Sequence, residues 1–238
     1  MSNSADCRVL DSFGGRKRAL LLLPSRSYRA SGFIGACATL EADIVVGVDD
    51  AQASEQLGDG RVKNLDFADP ANGAEQAVEF AGSRGFDAVI ATEEESVLLA
   101  AHIAARLGID HNSVESVVAC LDKSVLRHKL SEAGLLQPSF SLVSFDEQES
   151  GWLPRTFPCV VKPTSLSGSC GVIRVNNQTE FILAFARSKK IALDNSNFVP
   201  SSLLVEDYLP GREIAVDAII YRGRVHLLVV FLKPDPLH

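Results

Sequence analysis

The chain has 238 residues, 46% of them hydrophobic and 22% charged, which suits a globular protein with one large core or two modest ones and excludes a chain dominated by disorder. A formal charge of -7 argues against a surface that follows a nucleic-acid backbone, because such surfaces cluster Lys and Arg. No apolar run reaches the ~18 to 20 residues that span a bilayer, and the run after Arg16–Arg18 is too short for a secretory leader. The expected location is therefore cytoplasmic, with neither nucleic acid nor membrane as a partner.

The cysteines Cys7, Cys37, Cys120, Cys159 and Cys170 are scattered and odd in number, with no C-x-x-C pair, and the histidines are equally dispersed. Reduced thiols and no structural zinc are expected.

Residues 1–18 read as a disordered lead-in. From Ala19 to residue 121 short aliphatic runs alternate with helical patterns. They are ALLLLP, a helix around Gly32–Leu40, DIVVGVDD, RVKNLDF, a helix near Ala74–Ser83, DAVIAT and a helix over Ser96–Leu107. Continuous apolar runs separated by helices predict a parallel sheet, hence an α/β, Rossmann-like preliminary domain. Ligands of such sheets bind beyond the carboxyl ends of the strands, which points to Pro24–Arg29, Asp49, Asp50 and Thr92–Glu95. Each has a plainer reading. Asp49 and Asp50 can end a strand in a turn, and Glu93, Glu94 and Glu95 can favour a helix dipole. A dinucleotide-dependent oxidoreductase is disfavoured, because PSRSYRASGF lacks the glycine fingerprint that lets backbone approach a pyrophosphate.

From Asp122 the pattern changes. A helix opens there, SFSLVSF, FPCVVKP and GVIRVNN have strand character, a helix follows from Thr179 to about Lys190, and LLVEDYLPG leads into a predicted hairpin turning at Tyr221–Arg224. Strands grouped with one helix among them indicate an α+β unit over 122–238.

Four features in this second part carry chemistry. Lys123 opens the helix. Lys162 ends a strand of otherwise apolar residues and needs an anion to meet it. The run of small residues Thr164–Gly171, with Ser165, Ser167, Gly168 and Ser169, can bring backbone N–H groups onto phosphate oxygens and move as a lid. Glu206 and Glu213 flank a turn at Pro210–Gly211 and suit ribose hydroxyls. Two ammonium groups, a small-residue loop and paired carboxylates fit a nucleoside triphosphate, since each cation about 4 Å from a phosphate charge contributes roughly 4 kcal/mol at the effective dielectric of a cleft. Singly, each feature also has a bland reading, as a snorkelling lysine or an ordinary turn.

In this order, D-K opening a helix, V-V-K-P, a small-residue loop and V-E-x-Y-L-P-G-R-E, the chain resembles the ATP-grasp superfamily, with the carboxylate-amine ligase branch as the nearest likeness. The resemblance runs from about Ala19 to the last residue. It implies a Rossmann-like preliminary domain over 19–121 and an ATP-grasp domain over 122–238, with a lid at about 138–200 and the start of a final subdomain at 201–238. It further implies that Lys123 and Lys162 contact nucleotide phosphates and that Thr164–Gly171 covers them. Glu206 would open the adenine hinge, the Leu209 backbone would meet the adenine ring, and Glu213 would bind ribose. Phe157 or Val160 can line the adenine pocket, although their apolar setting reads better as plain core. The ending Lys233–Pro236 also matches a family stretch.

The implied reaction sends the γ-phosphate of ATP to a carboxylate and lets an amine displace it, with amino-acid-type substrates. Mg²⁺ belongs to that chemistry, and the family's metal ligands fall on strands beyond this hairpin. Asp207, Asp217 and Asp235 are poor substitutes, because Mg²⁺ asks for placed oxygens in near-octahedral array. The metal is therefore expected to arrive on ATP, no catalytic residue is assigned, and the chain reads as a front portion of a ligase. It is a truncated product, the product of a degraded gene, or one half of a split enzyme completed by a second polypeptide; a homo-oligomer is a further candidate partner. The alternative is a non-catalytic nucleotide-binding or partner-binding module, with Val225–Leu232 as an exposed strand edge.

Overall fold

The computed structural model describes residues 16–56, 60–149, 151–195 and 200–233. Residues 1–15 of the expected lead-in, Cys7, Asp235 and all but the first residue of the Lys233–Pro236 stretch lie outside them, while Arg18, the last residue of that expected lead-in, already belongs to a strand. Two compact units divide between Val118 and Ala119.

The first unit is a four-stranded parallel sheet in the order β3-β2-β1-β4, from β1 (Arg18–Leu22), β2 (Asp43–Val48), β3 (Val62–Asn64) and β4 (Ala88–Ala91). The central strand β1 is the ALLLL run, buried from Ala19 to Leu22, as expected of a strand with neighbours on both edges. Its helices are α1 (Ala30–Cys37), α2 (Ala51–Gln56), α3 (Pro70–Ala81) and α4 (Glu94–Leu107), and α5 (Val114–Leu121) crosses the division. Leu20, Leu22 and Val45 meet Leu65, Leu99 and Ile103 in the core.

Helix α3 begins four residues earlier than its apolar pattern alone predicts. The Asp69 carboxylate caps it by accepting the backbone N–H groups of Ala71 and Asn72, and Pro70 occupies the first turn, where no N–H is needed. The small helices α2 and α5 have no counterpart in the sequence reading.

The second unit holds α6 (Lys123–Glu132), β5 (Phe140–Ser144), α7 (Phe145–Glu149), β6 (Cys159–Pro163), β7 (Ile173–Val175), α8 (Gln178–Asn195), β8 (Ser202–Asp207), β9 (Ile214–Tyr221) and β10 (Arg224–Leu232). Four of the strands form an antiparallel sheet in the order β5-β8-β6-β7. Strand β8 lies inside that sheet, so the sheet continues past the division expected at 200/201 and closes at Asp207. Helix α8 extends beyond Lys190 to Asn195 and lays Phe181, Ala184, Phe185 and Ala192 against Val143, Val161, Leu203 and Val205. The β9–β10 hairpin is a separate two-stranded sheet, paired among the described strands only with itself and apolar on both exposed faces.

The four described cysteines are free thiols; burial first, and the charge of Asp207 second, push the Cys159 thiol up to about 11. No described helix is long and apolar enough to cross a membrane.

Phe181 and Phe185 are fully buried and in ring contact, so little can relax into the space either leaves. Phe185→Ala should lower unfolding free energy by about 3–5 kcal/mol, read as a fall in urea midpoint.

Candidate functional site

Strand alternation sorts the second unit's sheet into two faces. Cys159, Val161, Leu203, Val205, Val143 and Val175 face the α8 core. The opposite face is fixed by register: Phe140 and Val160 both lie across from Glu206, Arg174 lies across from Val160, and Lys162 lies across from Leu204. Val160, read as plain core in the sequence, therefore falls on the side of Lys162, because a period of two separates it from Cys159 and Val161. Phe157 is partly exposed.

Glu206 is the centre of this face. It is only 6% exposed, and each carboxylate oxygen has its own cation. Arg127 donates from Nε to Oε1 at 2.5 Å, and Lys162 donates from Nζ to Oε2 at 2.6 Å. Burial pushes the Glu206 carboxyl up, but the hydrogen bonds from Arg127 and Lys162 and their charges outweigh it and hold the group below its ordinary value. The anion that Lys162 was expected to require is, in this structure, Glu206.

Two more cations frame the face. Arg174 lies 4.1 Å above the centre of the Tyr208 ring, and its buried Nε has no hydrogen-bond partner among the described residues. Lys123 starts α6 behind its cap, Asp122, which accepts from the N–H groups of Ser124 and Val125. Its Nζ donates to the carbonyl of Leu166 at 2.5 Å, and its backbone N–H to that of Thr164 at 2.8 Å. Lys123 thus holds the base of the small-residue loop.

The loop from Thr164 to Gly171 turns through three positive-φ residues, Gly168, Ser169 and Gly171. Its far end is tied to α8, where the Ser188 hydroxyl donates to the Gly171 carbonyl at 2.9 Å. At Gly171 a Cβ would stand 2.9 Å from the Pro163 ring, so a side chain there would push the loop off the end of β6. Ser165 and the tip Ser167–Cys170 are exposed.

The remaining expected residues are not gathered into this cluster. Leu209 is well exposed after β8, and Glu213 pairs with Lys233 at the open end of the hairpin. A cavity of about 440 Å³ reaches Glu206 and Asp207 and is otherwise lined by Ser139–Ser141, Trp152–Thr156, Cys159 and Val205. Of the cation cluster only Glu206 touches it. Charge rather than volume therefore marks the candidate face.

Sequence reasoning missed Arg127, Arg174 and Tyr208. Arg127 was reachable, since it lies one helical turn after Lys123 and projects from the same side of α6. Arg174 becomes visible only once β7 is registered against β6.

In the first unit, the strand-end acids serve local structure. Asp49 accepts from the Ser25 N–H at 2.7 Å, Asp50 from the Gln52 N–H at 2.8 Å, and Glu93 precedes α4 and accepts from the Ser27 hydroxyl at 2.7 Å. Glu94 and Glu95 lie in the first turn of α4. No three His, Cys, Asp or Glu side chains gather as a metal site among the described residues. Asp207 accepts from Thr156, and Asp217 is exposed on the hairpin.

Residues 155–237, which include β6, the loop, β8 and the whole hairpin, match the family model described as ATP-grasp domain. That part of the chain is similar to an ATP-grasp domain. Among known relatives, a D-alanine–D-alanine ligase of Anaplasma centrale is 28% identical over 119 residues, covering 50% of this chain and 53% of that protein. Among solved structures, an L-amino acid ligase from Bacillus licheniformis superposes with a TM-score of 0.70 at 20% identity, over 92% of this chain and 51% of that one. A carboxyaminoimidazole ribonucleotide synthase from Aspergillus clavatus, solved with ATP, gives 0.66 at 15% identity, over 92% and 55%. The chain therefore spans about half the length of these relatives, and at such identities the superpositions establish its mixed α/β fold.

Because the folded Glu206 carboxyl titrates below its unfolded value, the stability it contributes is complete above the unfolded value near 4.5 and is lost as pH falls through the lower folded one. Urea midpoints of the unaltered protein and Glu206→Gln, compared from neutral pH downward, should differ most at neutral pH and converge in acid below that value.

Proposed function

We propose that this chain binds ATP on the Lys162 face of its antiparallel sheet, as the nucleotide-binding portion of a ligase that joins a carboxylate to an amine. The observation that carries this reading is local charge. In a chain of net charge -7, Lys162, Arg127 and Arg174 share one sheet face around a single buried carboxylate, beside a loop of small residues. Such a gathering of partly buried cations suits a multiply charged anion, and the ATP-bound state of a structural relative supports a nucleotide as that anion.

In this reading Lys162 meets the phosphates, and Lys123 sets the height of Thr164–Gly171 above them. The N–H groups of that loop cover the phosphates. Leu209 and Glu213 belong to the base and ribose ends. The γ-phosphorus–oxygen bond to ADP breaks as a substrate carboxylate bonds to phosphorus, and an amine then displaces phosphate from the acylphosphate. Positioning and charge neutralisation do most of that work. Amino-acid-type substrates are suggested by the ligases among the relatives. Mg²⁺ would come on the ATP; the described residues do not form a protein site for it, and no step is assigned to it. Free thiols at Cys37, Cys120, Cys159 and Cys170 support a cytoplasmic location.

Thermal unfolding tests the binding. ATP at a hundred times its Kd should stabilise the protein by about 2.7 kcal/mol, and Lys162→Ala should abolish the effect. Folded protein that ATP fails to stabilise refutes the proposal, and phosphate release with ATP, Mg²⁺ and a panel of amino acids then tests turnover.

The β9–β10 hairpin supports a second element, a completing polypeptide or a second copy of the chain. Ile219, Ile220, Val225, Leu227, Val230 and Phe231 are all exposed in a hairpin that pairs only with itself among the described strands. A second copy predicts concentration-dependent dimers in sedimentation that Leu227→Lys disperses. A monomer at all concentrations leaves the completing polypeptide as the occupant.

A further inference from the structure

If Lys162 serves a phosphate, as the proposed function holds, the cluster around Glu206 poses an electrostatic problem. The lysine is engaged by the Glu206 Oε2 and is itself 14% exposed. To reach a phosphate it must leave that oxygen. A buried carboxylate stripped of its counter-charge is strongly unfavourable, so the departure would oppose nucleotide binding unless something else stays.

The groups facing Glu206 identify what stays. From α6 come Arg127 and His128, the latter in ring contact with Phe140, the register partner of Glu206. From β6 comes Lys162, and across the apolar Val160 lies Arg174 of β7, held over the Tyr208 ring. Asp207, the neighbour on β8, points to the other face and accepts from Thr156. Arg127 is the second direct cation, and it uses Oε1, so the two cations do not compete for one oxygen.

The two cations also differ in kind. Arginine is a rigid, permanently charged fork, whereas lysine is a point charge on a rotatable stem. Arg127 stands on α6, whose start is capped by Asp122, and its own carbonyl accepts from the Gln137 side-chain amide at 2.9 Å. Lys162 is the penultimate residue of β6, on the rotatable stem common to lysines.

We propose that Arg127 is a positioning residue for nucleotide binding: it stays on Glu206 as the fixed counter-charge, so that Lys162 exchanges a carboxylate for a phosphate without stranding a buried anion. Arg127 touches no phosphate in this scheme. It acts through Glu206 on the freedom of Lys162, and it does so from the helix whose first residue, Lys123, holds the loop.

Calorimetric titration of ATP, in buffers of different ionisation enthalpy and across neutral to mildly alkaline pH, tests this. Relative to the unaltered protein, Arg127→Met should bind ATP on the order of a hundredfold more weakly at the alkaline end. It should also take up about one additional proton per ATP and recover affinity as pH falls, because a stranded Glu206 binds a proton instead of a cation. Arg127→Lys should show no additional uptake. Arg127→Met combined with Glu206→Gln should regain at least about tenfold and lose the uptake, since no carboxylate is left to strand.

A pH-independent loss in Arg127→Met, with no proton uptake and no rescue in the double variant, overturns the proposal in favour of a purely structural arginine. If Arg127→Met does not fold, the double variant decides: ATP binding by it supports the scheme, and failure to fold or bind overturns it. If the unaltered, folded protein itself binds no ATP, the nucleotide reading fails first and takes this inference with it.

Discussion

A carboxylate placed under a β-sheet surface must be matched by charge, and the second unit is arranged around that requirement at Glu206. Alternation along β8 sends Leu203 and Val205 into the core and Glu206 to the other face. The neighbouring strand supplies Lys162 and the helix before the sheet supplies Arg127. Removing both partners would leave an ion that the interior cannot solvate, a situation that typically costs about 3–5 kcal/mol, whereas the intact cluster holds three elements in one relation. The same positive charge that surrounds Glu206 is what the proposed nucleotide site would draw on.

Much of this was legible in the residue order. The ALLLL and DIVVGV runs announce buried parallel strands, because only a strand covered on both sides is apolar at consecutive positions. The D-K pair, V-V-K-P and V-E-D-Y marked three of the elements that meet in the cluster. What remained hidden was pairing. Nothing local says that Val160 lies opposite both Glu206 and Arg174, so the fate of the Lys162 charge, the side on which Val160 falls and the place of β8 in the sheet emerge only from register. The start of α3 was missed for a different reason. Its cap, Asp69, and its first residue, Pro70, carry no apolar signal, and periodicity sees only the buried stripe that begins at Gly73 and Ala74.

The two sheets of the second unit present opposite physical states. The β5-β8-β6-β7 sheet has a helix on one face and a charge cluster on the other, so nearly every large side chain has a partner. The β9–β10 hairpin pairs, among the described strands, only with itself and leaves Leu227, Val230 and Phe231 exposed.

The two anchors of the small-residue loop have an entropic consequence. Lys123 fixes the base at Thr164 and Leu166, and Ser188 fixes the end at Gly171, which leaves Ser167 to Cys170 as the span without an anchor of this kind. Ordering backbone costs about 1–2 kcal/mol per residue, so shortening the span to be immobilised over a bound anion roughly halves that penalty. The strength with which the loop closes is then set less by the serines and glycine at its tip than by two side chains lying outside it.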